Sequence, residues 1–360
     1  MYIRTPRVEI YPKRIASNAR SVIGECHAHG VQVACVTKVS CAHPAVARSM
    51  EKGGADMLAD SRIANLQALA TTGTRLPMMI LRIPVPRRAA DVVRCADISL
   101  NSSVETLRQL SDAAGMFGLK HQVVIMVDLG DLREGVWPDH VDDVVRTAGR
   151  LPNLEVAGLG ANLACYGGVI PTTEKMQMLV DIRDQCRKVT GLELGMLCGG
   201  NSANMPLLAA GGMPKEINVL RIGETILLGR NVLDRSPWPG TRQDTFRIVA
   251  EVVELERKPS IPIGYRGQDA FGGSPEFVDR GVRLRAICNI GREDVVVDNV
   301  YPEDPGMIVL GGSSDHLILD VEDAAEPVKV GDEVGFYPGY GALLTASTSA
   351  YVQKVIVNDP

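Results

Sequence analysis

Lys38 ends the apolar run VQVACVTK (31–38), where its side chain could do covalent chemistry. Inside a desolvated cavity a lysine favours its neutral form, and a neutral amine is what Schiff-base formation with a carbonyl compound requires. A lysine at the end of a strand can also extend along apolar surface to reach solvent. The residue by itself therefore leaves a catalytic and a structural interpretation open.

Two glycine-flanked polar turns, CGGNSAN (198–204) and RIGET (221–225), suggest a second kind of chemistry. Backbone N–H groups that precede a helix bind phosphate, and the Ser202 hydroxyl can add a further contact. Small polar residues in such turns also serve as ordinary helix caps. The two turns together predict a phosphate site if the fold brings them to one edge of a sheet.

The first two thirds of the chain contain the elements that must position these residues. Short β-rich runs alternate with stretches of helical spacing, as in parallel strands joined by helical crossovers. Ser103, for example, suits the N-cap of a helix that contains Leu107 and Leu110. We predict eight strands, at 31–38, 55–60, 77–83, 96–101, 122–129, 154–163, 192–197 and 217–224.

This alternation predicts a (β/α)8 barrel of TIM type, with an open doubly wound sheet as the alternative. In such a barrel the chemistry lies at the carboxyl ends of the strands, so polar residues at those positions carry the most functional information. The residues at or just after the predicted strand ends are Lys38, Asp60, Arg82, Asn101, Asp128, Arg133, Asn162, Asn201, Ser202, Arg221 and Gly223. A closed barrel would bring them to one mouth.

After residue 235 the pattern changes to short alternating strands separated by Gly/Pro turns. This texture is typical of an all-β domain. We therefore predict an α/β fold of two domains, with the barrel at 10–235, the all-β domain at 236–360 and the linker within DRSPWPGTRQ (234–243).

Composition and charge argue against a nucleic-acid-binding, membrane-bound or metal-binding protein. The 360 residues carry a net charge of -5 without a basic run, so neither nucleic acid nor an anionic membrane is an expected partner. The first residues, MYIRTPRVEI, lack the apolar core of a signal peptide, and no apolar run reaches the roughly 18 residues of a membrane span, so we expect a cytoplasmic protein. The eight cysteines lack metal-site spacing, which predicts reduced thiols and no metal.

Four motifs resemble the alanine racemase superfamily of fold-type III pyridoxal-phosphate enzymes, and most closely its ornithine racemase branch. They are VTK (36–38), VDLGDLREG (127–135), GGNSAN (199–204) and the Arg-x-Gly of 221–223. The resemblance spans the whole chain. It implies bound pyridoxal 5'-phosphate, a small amino-acid substrate, and residues 1–9 joining the C-terminal domain. It also implies a head-to-tail homodimer with shared active sites.

The resemblance assigns roles to the barrel residues. Lys38 would carry the cofactor and act as one catalytic base. Arg133 would contact the cofactor's phenolic oxygen and the substrate carboxylate. Ser202 would bind the phosphate, with Asn201 supporting it.

Arg221, Gly223 and Glu224 belong to the second turn and are implied to bind the cofactor. A guanidinium is effectively always protonated, so Arg221 beside the ring nitrogen would leave that nitrogen unprotonated. A weaker electron sink favours reprotonation over side reactions. Without the resemblance, a structural salt bridge is the other interpretation of this arginine.

In the β-domain, PIGYRG (262–267) resembles a family element that offers Tyr265 as the second base, supplied by the other subunit. SSDHLILDV (313–321) matches Ser314 and Asp315 to residues that help bind the substrate. Tyr340 is our candidate for the family's phosphate-binding tyrosine, although a tyrosine in a strand-rich domain is often a core residue.

Three departures from the family pattern stand out. Asn162 replaces the histidine that stacks on the ring in typical members and would itself contact the cofactor. Ala42 and His43 stand in place of a tyrosine beyond the lysine. Met126 corresponds to a lysine that many relatives carbamylate, so no carbamate is expected.

These departures argue against alanine as the substrate. We predict a two-base racemase acting on a basic amino acid, ornithine first and lysine second, whose side-chain ammonium would meet Glu224, Asp269 or Asp315. The alternatives are an alanine or broad-specificity racemase, a related decarboxylase or aldolase, and a non-catalytic pyridoxal-phosphate-binding protein. Such carriers share the barrel but lack the second domain.

Overall fold

The computed structural model describes residues 4–358, which form two compact units. One unit runs from Pro12 to Gln243, and the other combines the residues up to Tyr11 with those from Asp244 onward. The division follows Gln243, the last residue of the predicted linker.

Strand β1 (Arg7–Ile10) belongs to the second unit, and the eight strands after it close into a barrel. Each pairs in parallel with the next along the chain, and the last pairs with the first. This confirms the predicted (β/α)8 architecture. The barrel strands are β2 (Gln32–Val36), β3 (Met57–Asp60), β4 (Met78–Ile80), β5 (Ile98–Asn101), β6 (His121–Val127), β7 (Leu154–Ala161), β8 (Met196–Asn201) and β9 (Val219–Ile222).

The helices of this unit connect successive strands. Ser103 caps its helix as predicted, because its hydroxyl accepts a hydrogen bond from the Thr106 N–H. The helices are α1 (Pro12–Ala28), α2 (Pro44–Lys52), α3 (Ile63–Ala70), α4 (Ala89–Cys95), α5 (Val104–Met116), α6 (Val141–Gly149), α7 (Thr173–Thr190), α8 (Met205–Ala209) and α9 (Glu224–Leu228).

Alternate residues of the barrel strands form one buried apolar cluster. Ala34 and Val36 of β2 belong to it, as do Ile98 and Leu100 of β5. Because successive side chains of a strand point to opposite faces, these members define the barrel interior. Side chains at the same parity near the strand ends therefore line the mouth.

Strand β8 lies four residues beyond the predicted 192–197. Its sequence MLCGGN includes two glycines, which are unusual in a strand interior but mark bulges and close approaches. The pairing of β8 with β9 shifts register between Cys198 and Gly200, and Gly200 has a φ of +149°. The glycines thus belong to the strand and carry Asn201 to its end.

The second unit is one antiparallel sheet, in the order β12-β15-β10-β11-β14-β13, to which β1 is added along β10. Strand β1 also pairs in parallel with β16, so residues from both ends of the chain enter this sheet. The strands are β10 (Phe246–Pro259), β11 (Val282–Cys288), β12 (Val300–Pro302), β13 (Ile308–Gly312), β14 (Leu317–Asp320), β15 (Glu333–Pro338) and β16 (Gln353–Ile356).

This sheet confirms the predicted β-domain, with one addition. Residues of the YGALL segment form a helix, α10 (Tyr340–Thr348), which strand alternation did not indicate. Ala342, Leu343 and Ala346 of the helix are buried.

Candidate active site

Lys38 immediately follows the β2–Thr37 segment and begins a short 3-10 turn, Lys38–Ser40. Its side chain is half-buried. The hydroxyl of Thr37 donates a 2.8 Å hydrogen bond to the buried carboxylate of Asp60. Burial raises the pKa of Asp60, whereas the hydrogen bond from Thr37 opposes this rise. The strand end that presents the lysine is thus tied to the end of the next strand.

Three polar side chains meet at the ends of β7, β8 and β9. Asn162 Oδ1 accepts hydrogen bonds from Asn201 Nδ2 at 3.1 Å and from Arg221 Nη2 at 3.4 Å. Arg221 Nη2 also donates to the backbone oxygen of Ala161 at 2.7 Å. The structure therefore brings together three residues that the sequence predicted separately.

Two buried donors of this cluster, Arg221 Nη1 and Asn162 Nδ2, have no hydrogen-bond partner among residues 4–358. The nearby Cys198 thiol is only a weak acceptor; burial raises its pKa, while the charge of Arg221 and a hydrogen bond with it lower that pKa. Buried donors are rarely left unpaired in native proteins. Two such donors at one barrel mouth fit a ligand with acceptor atoms, such as a pyridine nitrogen.

Ser202 lies next to this cluster and is 5% exposed. Its Oγ accepts long hydrogen bonds from the N–H groups of Gly223 and Thr225, at 3.3 and 3.4 Å. Glu224 begins α9, and the first N–H groups of a helix have no partner within it. The two predicted turns thus meet at one hydroxyl, an arrangement that suits a phosphate group.

Gly223 allows this turn to approach strand β2. A Cβ atom at this position would lie 3.1 Å from the Cβ of Val36 and 3.3 Å from its carbonyl oxygen. A side chain would therefore push the turn away from the strand that presents Lys38.

The Glu224 side chain forms an ion pair with Arg235. Burial raises the pKa of Glu224, whereas the positive charges of Arg235 and Lys38 lower it. Glu224 therefore lies within electrostatic reach of Lys38.

Arg133 lies in the loop after β6 and is contacted on two sides. The Glu134 carboxylate pairs with Nε and Nη2, and Cys165 Sγ lies 2.9 Å from Nη1. Burial lowers the pKa of Arg133, but its hydrogen bonds to Glu134 and its charged surroundings give a net rise. The sequence analysis missed both partners, although Glu134 adjoins Arg133 in the LREG motif.

Four predicted site residues belong to the second unit. Tyr265 is fully exposed in a segment without regular secondary structure, between β10 and β11. Ser314 and Asp315 lie in the turn between β13 and β14, where Ser314 Oγ donates a 2.8 Å hydrogen bond to Asp315 Oδ2. Tyr340 is the first residue of α10. Asp269, named above as an acidic candidate, accepts hydrogen bonds from the N–H groups of Phe271 and Gly273.

Residues 4–358 contain neither a membrane-spanning helix nor a candidate metal site. None of their helices combines the length and apolar character that a bilayer crossing needs. Their His, Cys, Asp and Glu side chains form no group of three that could hold a metal ion.

The fold and the site together define a class: a (β/α)8 barrel with a lysine and a candidate phosphate cradle at its mouth, joined to a β-domain. A model of the alanine racemase N-terminal domain matches residues 10–231. The chain belongs to the alanine racemase family.

Full-length relatives sharpen this assignment. The ornithine racemase of Acetoanaerobium sticklandii is 41% identical over 98% of this chain and 99% of its own length. The lysine racemase of Thermotoga maritima is 39% identical over 97% and 98%. Among solved structures, the alanine racemase of Bacillus anthracis superposes with a TM-score of 0.75 at 16% identity, covering 100% of this chain and 96% of the other. At that identity the last likeness concerns the fold alone.

Proposed function

We propose that this protein is a pyridoxal-phosphate-dependent racemase of basic amino acids, with ornithine as the first candidate and lysine as the second. The observation that carries the proposal is the grouping at one barrel mouth of Lys38 and two unpaired buried donors, Arg221 Nη1 and Asn162 Nδ2. The names of the two full-length relatives support the substrate class.

The residues present fit the cofactor. Lys38 would bind its aldehyde carbon, and Ser202 with the backbone of Gly223 and Glu224 would bind its phosphate. Arg221 Nη1 would donate to the ring nitrogen, Asn162 would also contact the cofactor, and Asn201 would support Ser202. When bound, the cofactor supplies an electron sink that acidifies the α-carbon of the substrate.

Inversion at one carbon needs a base on each face of it. Lys38 Nζ would exchange a proton on one face. Arg133 would bind the substrate carboxylate and so hold the α-carbon in place. The Arg221 guanidinium can donate a hydrogen bond but accepts no proton, so beside the ring nitrogen it would leave that nitrogen unprotonated and would limit side reactions.

Tyr265 is proposed as the second base, acting from the partner subunit of a head-to-tail homodimer. Its full exposure supports this role, because a base for another subunit's site must be accessible in the single chain. Ser314, Asp315 and Tyr340 are proposed to complete the substrate and phosphate contacts. A cytoplasmic location is proposed as well, since all eight cysteines are free of disulfides.

The test is to assay the purified protein, loaded with pyridoxal phosphate, against a panel of L-amino acids by chiral chromatography. We expect D-ornithine or D-lysine to form faster than D-alanine. Turnover of alanine alone would reject the basic-substrate proposal.

Tyr265→Phe separates a racemase from a non-catalytic carrier. A racemase should lose about 10²-fold or more of its turnover while keeping its cofactor absorbance. A carrier would show no turnover before or after the change. Tyr351→Phe, at another exposed tyrosine of the second unit, is the matched control and should leave turnover unchanged.

A further inference from the structure

Arg133 is held differently from what the family pattern implies. The lysine that many relatives carbamylate to orient this arginine corresponds to Met126, which is fully buried in the barrel interior and has no charged acceptor. In its place, Glu134 pairs with Nε and Nη2, and Cys165 Sγ contacts Nη1 at 2.9 Å. A different pair of side chains therefore surrounds the guanidinium.

The loop that carries Cys165 is fixed in place by one buried carboxylate. Asp131 is 1% exposed and accepts hydrogen bonds from the N–H groups of Cys165, Tyr166 and Val169, at 3.4, 2.9 and 3.2 Å. Asp131 lies two residues before Arg133, so this carboxylate joins the loop after β6 to the loop after β7. The thiol thus has a defined position relative to the guanidinium.

The loop that carries Arg133 is also fixed. Asp128 Oδ1 accepts hydrogen bonds from the N–H groups of Gly130 and Leu132, at 2.8 and 3.2 Å. Gly135 has a φ of +147°, and a Cβ atom there would collide with the backbone of Asp128. This glycine therefore lets the loop fold back against its own start.

Two of the five N–H groups of Arg133 are left for a ligand by Glu134 and Cys165. A guanidinium has five N–H donors. Glu134 takes one on Nε and one on Nη2, and Cys165 takes one on Nη1. One N–H remains on each terminal nitrogen, and two N–H groups on the end-on edge of a guanidinium match the two oxygens of a carboxylate.

We propose that Glu134 and Cys165 are positioning residues, which hold Arg133 so that its remaining two N–H groups bind the substrate carboxylate. This inference rests on the proposed function, because it concerns the substrate of that same site. Cys165 accepts a hydrogen bond from Nη1, and this contact restricts rotation of the Arg133 guanidinium. Glu134 holds the edge of the guanidinium formed by Nε and Nη2.

The test compares Cys165→Ala, Cys165→Ser and Glu134→Gln with the wild type. Two probes separate the carboxylate from the rest of the substrate. The compound 5-aminopentanoate keeps the carboxylate and side-chain ammonium of ornithine but lacks its α-amine, and 1,4-diaminobutane lacks the carboxylate. Binding of both is measured by calorimetry, and KM and kcat are measured with ornithine and lysine.

For Cys165→Ala and Glu134→Gln we expect KM, and the Kd of 5-aminopentanoate, to rise about tenfold, as for a lost hydrogen bond to a charged group. The Kd of 1,4-diaminobutane should stay within about twofold, and kcat should change less than KM. Cys165→Ser, which keeps an acceptor, should restore most of the affinity. Cys95→Ala, at a partly exposed cysteine of α4, and Asp143→Asn, at an exposed acidic residue of α6, are the controls.

The proposal is overturned if both variants bind 5-aminopentanoate as the wild type does, or if they weaken both probes equally. Alkylation of folded wild-type protein at Cys165 with iodoacetamide gives a second measurement that does not depend on refolding a variant. It should weaken 5-aminopentanoate binding as Cys165→Ala does, and unchanged binding would count against the proposal. A wild type that binds 5-aminopentanoate but racemises no amino acid would contradict the proposed function alone.

Discussion

The two ends of the barrel use polar residues in different ways. At the amino ends of the strands, Asp56 Oδ2 accepts a 2.7 Å hydrogen bond from the Val33 N–H, and Asp97 Oδ2 accepts one of 2.7 Å from the Met78 N–H. At the carboxyl ends, Arg221 and Asn162 each retain a buried donor without a partner among residues 4–358.

The difference lies in whether the polar groups are paired, since both ends contain them. The amino end also has a cavity of about 510 Å³, lined by Asp56, Asp97 and His121, yet the side chains of these three residues all have hydrogen-bond partners. Polar groups that are already paired stabilise the strands, whereas unpaired buried donors are available to a ligand or an ordered water. The amino-end cavity is therefore lined by polar groups that are already paired, whereas active sites of (β/α)8 barrels lie at the carboxyl ends of the strands.

Lys38→Ala should show the largest effect. Removing the amine would delete both the proposed point of cofactor attachment and one proposed base, so turnover should fall by about 10³-fold or more. Because the side chain is only half-buried, the free energy of unfolding should change little. Racemase assays and urea denaturation measure the two quantities.

Lys120→Ala is the matched control, since Lys120 is an exposed lysine that lines the cavity at the amino end. It should leave turnover within about twofold of the wild type. If Lys38→Ala and Lys120→Ala lose activity equally, the proposed functional difference between the two ends of the barrel is wrong.

His121 should make stability depend on pH. Burial lowers its pKa from 6.5 to about 4, and its Nε2 lies 2.8 Å from Ser99 Oγ. Between these two values the unfolded chain binds a proton that the folded one does not. Stability should therefore be fully present above pH 6.5 and fall as the pH drops to about 4, by up to about 3 kcal/mol.

The measurement is urea denaturation of wild type and His121→Asn at pH 7 and pH 5. The variant should lose most of the difference between the two pH values. His140→Asn, at an exposed histidine, should keep it. If the free energy of unfolding depends on pH equally in wild type and His121→Asn, His121 does not cause that dependence.

Arg221→Met should reduce the stabilisation that pyridoxal phosphate gives. At a concentration of about 100 times its Kd, a ligand of the folded state stabilises by about 2.7 kcal/mol, and the variant, with weaker binding, should gain less at the same concentration. Differential scanning calorimetry with and without the ligand measures the shift for each protein. An equal shift would mean that the unpaired Arg221 donor does not contact the ligand.

Asp56→Ala should show the smallest effect. Its carboxylate pairs with the Val33 N–H and with His27 at 2.8 Å, so its removal leaves a backbone donor unsatisfied at a cost of about 1–2 kcal/mol. Turnover should be unaffected because the residue lies at the opposite end from Lys38. A loss of racemase activity larger than the loss of folded protein would argue that the ends are coupled.

Sequence reasoning predicted the barrel because each strand and helix has a local signature, such as the Ser103 cap and the apolar runs. It misplaced β8 because it assigned Gly199 and Gly200 to a turn. In the structure both glycines belong to the strand, and the pairing of β8 with β9 shifts register between Cys198 and Gly200. It did not indicate α10, in which only Ala342, Leu343 and Ala346 are buried. Local sequence patterns predict secondary structure least well where contacts between distant segments determine it.

For the site, the motifs predicted Lys38, Ser202 and Arg221, and the structure groups Ser202 and Arg221 with their neighbours at the ends of β7 to β9. No pattern linked Cys165 to Arg133, since the two residues are 32 positions apart and no motif includes the cysteine.

The sequence by itself determined the order of strands and helices and the chemical type of each residue at the strand ends, because those depend on local periodicity and side-chain identity. Only the tertiary structure decided which donors are paired and which are left over. That outcome depends on distances and angles between residues of different strands, which a linear pattern does not contain.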